Sequence, residues 1–208
     1  MPNKITGVIL AGGLARRLGN IDKALVQIGN TSLLEYAIAN LEPQCDQIII
    51  NANGNPDRFH NINNPIIADT IEGYAGPLAG VLCAMQWVKQ NTPQTKWIAT
   101  LPVDTPFAPK DFAARLLQNV IDQKTDLACA SSGGRHHPVV GLWPVDLADQ
   151  LHAAMVNEDM RKVDLWTARF KLSIVDFKIK QYDPFFNINR PADIETGEQI
   201  LKEQSNAS

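Results

Sequence analysis

The chain has 208 residues, 45% of them apolar and 20% charged, with a formal net charge of -3. That is enough chain for one well-buried core, with a balance that excludes a disordered or fibrous protein. The slight negative charge offers no general attraction to nucleic acid or to a membrane surface, so an anionic ligand has to be held by a local cation cluster. Three cysteines, Cys45, Cys83 and Cys129, lie far apart without C-x-x-C spacing, so neither a disulfide framework nor a zinc site is expected. They read as small buried apolar residues. No apolar run approaches the ~18 residues of a membrane span, and the first residues lack a secretory apolar segment. The expected compartment is the cytoplasm.

Strand-length apolar runs alternate with helix-period segments, the pattern of βαβ units around a parallel sheet. Ile5 to Leu10 opens as a strand, and a glycine- and arginine-rich loop follows. Ser32 and Glu35 are spaced as a capping box at the start of a helix. Strands are expected at Asp46 to Asn51 and Asn64 to Asp69, then, after the glycine-rich turn GYAGPLAG, a helix that runs to about Gln90. The run KWIATLPVD reads as a strand ending on Asp104, followed by a helix over about Lys110 to Gln123. DLACASS is the next strand, GGRHH a turn and PVVGLWP a strand. Helices around Leu147 to Met155 and Arg161 to Phe170, a strand LSIVDF and a terminal helix from about Ala192 complete the chain, with the tail EQSNAS expected to fray. The expected architecture is a single Rossmann-like α/β/α domain with a mostly parallel sheet, spanning residues 1–208.

In such a sheet the ligand lies beyond the carboxyl ends of the strands, where the loop after the first strand borders it. That loop is AGGLARRLGNIDK. Paired glycines let the main chain approach a phosphate and aim consecutive N–H groups at it, while Arg17 and Lys23 supply the charge. The loop is not the dinucleotide fingerprint, because Gly12 and Gly13 are adjacent and the next glycine is Gly19; nor is it a P-loop, because Ala24 follows Lys23 where a hydroxyl would hold magnesium.

LAGGLARRLGNIDK, from Leu10 to Lys23, resembles the signature of the molybdopterin nucleotidyltransferases, with Leu18 where methionine is usual. The resemblance extends through INAN at Ile50 to Asn53, GPLAG at Gly76 to Gly80, LPVDTPF at Leu101 to Phe107, His137-Pro138, and FNINRPADI at Phe186 to Ile194. Within that family the D-T-P and F-x-N-x-N-x-P features are similar to the guanylyltransferase branch, whose fold is nucleotide-diphospho-sugar transferase-like.

The resemblance implies transfer of GMP from GTP to molybdopterin carrying molybdenum, with Mg2+ as cofactor. It also implies other cofactor-assembly proteins and recipient molybdoenzymes as partners. It assigns Asp104 to the metal and the nucleotide, and nucleotide contacts to Leu10, Ala11, Gly12, Gly13, Lys23, Asn51 and Asp69. Gly76, Gly80, Asn187, Asn189 and Arg161 are the matching candidates for the acceptor.

Read from the residues alone, Asn51 and Asp69 are strand-ending groups that serve either as turn residues or as ligands. Gly76 and Gly80 either admit a ligand or only open a helix at Pro77. Arg161 and Lys162 fit solvated surface charge equally well. His136 and His137 are adjacent, so in an extended chain they point oppositely, and the pair is not read as a site. The alternatives are cytidylyl transfer from CTP, sugar-1-phosphate nucleotidyl transfer, and a carrier that binds the cofactor without chemistry.

Overall fold

The computed structural model describes residues 4–12, 14–15, 21–71, 73 and 76–206. Its elements run β1 (Ile5–Leu10), β2 (Leu14–Ala15), β3 (Ile21–Asp22), β4 (Gln27–Ile28), β5 (Thr31–Ser32), α1 (Leu33–Leu41), β6 (Gln47–Asn51), β7 (Ile66–Ile67) and α2 (Pro77–Asn91). They continue with β8 (Trp97–Pro102), α3 (Phe112–Gln123), β9 (Leu127–Ser132), β10 (Arg135–Pro144), α4 (Ala148–Glu158), α5 (Val163–Thr167), β11 (Leu172–Asp176) and α6 (Pro191–Asn206). The main sheet has seven strands in the order β11-β9-β10-β8-β1-β6-β7. Pairing is parallel from β8 through β1 and β6 to β7, and again between β9 and β11; β10 runs antiparallel to both its neighbours. The mostly parallel three-layer α/β/α fold expected from the sequence is the one observed.

Alternation along each strand sorts the core onto two faces. Ile9, Ile48, Ile50 and Leu101 join α1, α3 and α6 on one side, while Val8, Ile49, Ile98 and Trp143 join α2 and α4 on the other. The consecutive isoleucines of β6 are buried because each face is covered by a helix layer. Helix α1 starts at the expected capping box: Ser32 Oγ accepts from the Glu35 N–H, and the Glu35 carboxylate accepts from the Ser32 hydroxyl and N–H, which hold that carboxyl below its ordinary range. Its Leu33, Leu34 and Leu41 are fully buried, each contributing about 1.5–3 kcal/mol by leaving water.

Four details differ from the sequence expectation. Pairing of β8 stops at Pro102, so Asp104 stands in the turn beyond the strand, where it clears the sheet edge. The turn after β9 is only Gly133–Gly134, both at positive φ (53° and 79°), as a two-residue hairpin turn of the primed type requires; Arg135, His136 and His137 therefore belong to β10. The segment expected as a helix over Arg161 to Phe170 keeps only α5. The terminal helix continues through Asn206, into the tail expected to fray. No helix among the described residues is long and apolar enough to cross a membrane.

Candidate active site

The carboxyl ends of β1, β6 and β8 open onto a cleft of about 610 Å3, walled on the far side by β10. Each strand end delivers one polar group. Asn51 closes β6, Asp69 follows β7, and Asp104 follows β8; all three line the cleft, together with Leu10, Gly12, Lys23, Gly76 and Asn187.

Lys23 is aimed by its neighbour. Asp22 caps the short 3-10 turn Lys23–Leu25 by accepting from the Ala24 N–H at 3.0 Å, and its other oxygen accepts from the Arg58 guanidinium. Arg58 also donates to the Asn53 carbonyl at 2.7 Å, so the loop after β1 is tied to the loop after β6. With its backbone fixed in this way, Lys23 donates through Nζ to Asp104 Oδ2 and Asn189 Oδ1, both at 2.5 Å. The Lys23 and Asp104 side chains are each 17% exposed, so the pair is partly desolvated yet reachable from the cleft.

The C-terminal stretch wraps the same carboxylate. Asn187 Nδ2 donates to Asp104 Oδ1 and to Thr105 Oγ1, each at 3.1 Å, and the Ile188 N–H donates to the Asp104 carbonyl at 2.9 Å. Asn187 and Asn189 point the same way along an extended segment, as their spacing of two predicts. Asp193 then accepts from the Asn189 and Arg190 N–H groups and so fixes that segment at the start of α6.

At the other end of the cleft both Asp69 oxygens accept from amides, Asn51 Nδ2 at 2.9 Å and Asn53 Nδ2 at 2.7 Å, and Asn53 Oδ1 accepts from the Asp69 N–H. Asn53 lines the cleft and was missed; its place two residues past the strand-ending Asn51 is the signal that could have found it. Thr105 and Phe185 also line the cleft, each beside a residue that the sequence does single out.

Several candidates sit differently. Ala11 is buried and ties the loop to β6 through its N–H, which donates to the Asn51 carbonyl at 2.9 Å. Gly80 is buried in α2, away from the cleft lining: a Cβ there would lie 2.3 Å from Asn51 Oδ1 and 2.8 Å from Leu10 Cδ2, so its bareness makes room for the Asn51 amide. The Arg161 guanidinium lies outside the cleft lining, half exposed, donating to Asp159 Oδ1 at 2.8 Å. Gly13 and Arg17 lie outside the described residues. Cys83 and Cys129 are buried, as expected, and Cys45 is half-buried; burial pushes the Cys45 and Cys83 thiols up to about 12 and Cys129 to about 11.

Among the described residues no group of three or more His, Cys, Asp or Glu could hold a metal. The donor set at Asp104, one carboxylate with the Asn189 amide oxygen nearby, fits instead a magnesium ion that takes most of its octahedron from phosphate and water. The Lys23 ammonium can meet polyphosphate charge directly, whereas the Asp104 carboxylate can do so only through a cation it holds.

Known proteins are similar to this chain in sequence and fold. The MobA-like NTP transferase domain matches residues 7–169. The molybdenum cofactor guanylyltransferase of Rhodopseudomonas palustris (strain BisB5) is 46% identical over 198 residues, covering 95% of this chain and 94% of the relative. The crystal structure of molybdopterin-guanine dinucleotide biosynthesis protein A from Archaeoglobus fulgidus superposes with a TM-score of 0.74 at 20% identity, over 95% of this chain and 99% of that one. CMP:2-keto-3-deoxy-manno-octonic acid synthetase complexed with CTP has the same fold, at a TM-score of 0.73 and 12% identity, over 97% and 99% of the two chains. With its strand-end site in the matched region and relatives of this similarity along nearly its whole length, the chain belongs to the MobA-like NTP transferase family.

Proposed function

We propose that the protein transfers the GMP group of GTP to molybdopterin carrying molybdenum, forming the guanine dinucleotide cofactor and releasing pyrophosphate. The observation that carries this reading is the meeting of Lys23, Asp104, Asn187 and Asn189 in one cleft that also holds Asn51 and Asp69. The similarity to curated guanylyltransferases supports the choice of base and acceptor.

The terminal phosphate of the acceptor attacks the α-phosphorus of GTP. A new P–O bond forms, the bond from that phosphorus to the bridging oxygen breaks, and its electron pair leaves with pyrophosphate. A phosphate nucleophile is already ionised near neutral pH, so no general base is needed. The work is alignment and charge stabilisation. Lys23 leaves the Asp104 carboxylate to pair with the triphosphate, and the Gly12 backbone lies beside the phosphates with Arg17, a proposed second cation. Asn51, Asn53 and Asp69 form the wall for the base and ribose, while Asn187 and Asn189 face the junction with the acceptor. Magnesium held by Asp104 and phosphate oxygens would supply neutralisation of the charge on the departing group.

The test is pyrophosphate release by purified protein given GTP with and without molybdopterin, then GTP in competition with CTP. Release that requires the acceptor and favours GTP is the expected result. Release without acceptor, or a preference for CTP, overturns the assignment; ligand binding with no release points to a carrier.

A further inference from the structure

The wall opposite the proposed nucleotide side holds a histidine that the reaction above does not use. Between the pairs His137–Ala130 and Gly141–Cys129, β10 contains Pro138, Val139 and Val140 while β9 advances directly from one partner to the next. This irregularity is held from beneath: Thr100 Oγ1 donates to the Val139 carbonyl at 2.6 Å and accepts from Trp143 Nε1 at 2.8 Å. Bulges of this kind re-aim side chains beside active sites. Here the strand past the bulge rises as the cleft wall, and His137 lines it.

The imidazole is locked in one tautomer by its neighbours. Ser132 Oγ, 1% exposed, lies 2.7 Å from His137 Nε2 and 2.7 Å from Asp183 Oδ1. An ionised carboxylate can only accept, so the single hydroxyl proton of Ser132 goes to Asp183, and Ser132 must accept from an Nε2–H. The neutral ring then carries its lone pair on Nδ1. Asp183 also accepts from the Phe185 N–H at 2.9 Å, and the Phe185 ring packs 4.8 Å from the imidazole, so the plane of the ring is fixed as well. Among the described residues no group bonds Nδ1, and that atom is not one of the sealed, unpartnered polar atoms.

We propose that His137 Nδ1 is a specificity-determining hydrogen-bond acceptor that reads an N–H donor on the ring system of the acceptor substrate. The proposal rests on the pterin reading above and deepens it. An unprotonated nitrogen repels phosphate oxygens but suits the amino and ring N–H groups of a pterin. Burial lowers the His137 pKa; the charges of Arg135 and His136 act the same way, and Asp183 acts against them.

The experiment compares binding of molybdopterin and of GTP to the wild-type protein and two variants. His137→Gln keeps an N–H for Ser132 but removes the cleft-facing acceptor; His137→Asn places an amide where Nδ1 stood but lets go of Ser132. The expected result is about tenfold weaker molybdopterin binding for the Gln variant, within about threefold of wild type for Asn, and unchanged GTP binding in both. A wild-type-like Gln variant, or parallel losses for GTP and pterin, assigns His137 only to holding the 183–189 segment and overturns the proposal. A second measurement needs no variant: a pterin phosphate methylated on its donor nitrogens should bind the wild-type protein about tenfold more weakly than the parent, and equal binding overturns the proposal. A wild-type protein that binds the pterin without transferring GMP sinks the functional reading and leaves this comparison standing. One that transfers GMP while all variants bind the pterin alike sinks only the role of His137.

Discussion

The two sides of the cleft reach a common rim by different chain geometry. On the proposed nucleotide side the parallel strands β6 and β7 end together, and Asn51, Asn53 and Asp69 lock one another by direct amide–carboxylate bonds. On the proposed acceptor side the antiparallel strand β10 climbs past its bulge, and its lock runs through an intermediary, from His137 through Ser132 to Asp183 on a distant segment. The difference teaches that a strand end can be fixed locally, whereas a strand that overshoots the sheet needs an anchor from elsewhere in the chain. Asp104, after the central β8, is the seam where Lys23 from the loop after β1 meets Asn187 from the segment that follows Asp183.

Disruptions should therefore sort by side. Asp104→Ala, on the seam, is expected to lower kcat for pyrophosphate release about 10²–10³-fold, the usual cost of removing a group that manages transition-state charge. Retained turnover would take Asp104 out of the chemistry. Gly80→Ala should act on the nucleotide side alone: the added Cβ displaces the Asn51 amide, costing roughly 1–3 kcal/mol in urea denaturation, with the KM for GTP rising and the acceptor KM steady. An equal rise in both would erase the distinction between the sides. Asn53→Ala removes one donor from Asp69 and should raise the KM for GTP by about 2–10-fold in steady-state assays.

The smallest contrast is expected from the thiols beneath each side. Cys83, which donates to the Ala68 carbonyl, underlies the nucleotide side, and Cys129 lies in β9. Burial raises both above the unfolded value, so the folded protein keeps both protonated, and alkylation at pH 8 followed by mass spectrometry should find each slow. Raised values also fix the sign of the linkage. The stability they contribute is complete below the unfolded thiol pKa and is lost as pH climbs from about 9 toward 11 and 12.

Legibility in the sequence followed the same division. The parallel half could be read because its strands are continuous apolar runs and its candidate ligand groups stand at their ends, as Asn51 and Asp69 do. The capping box at Ser32 and Pro77 at the head of α2 were equally visible, being local chemistry. Residues on the acceptor side were harder. His137 looked like half of a diverging pair in a turn, because nothing local reveals that the turn is only two glycines long or that Ser132 and Asp183 converge on the ring. The fit of Gly80 was hidden for a related reason: a side chain from another element fills the space beside it, and sequence spacing carries no record of such a fit.

The contact of Lys23 with Asn189 joins positions 166 apart, across most of the polypeptide. A ribosome-bound chain emerging from its N-terminus displays the glycine loop and Asp104 long before the segment that completes their surroundings. The setting of Lys23 is thus completed only once synthesis has passed Asn189, and a prematurely terminated product keeps the ammonium but lacks the amide that holds it in place.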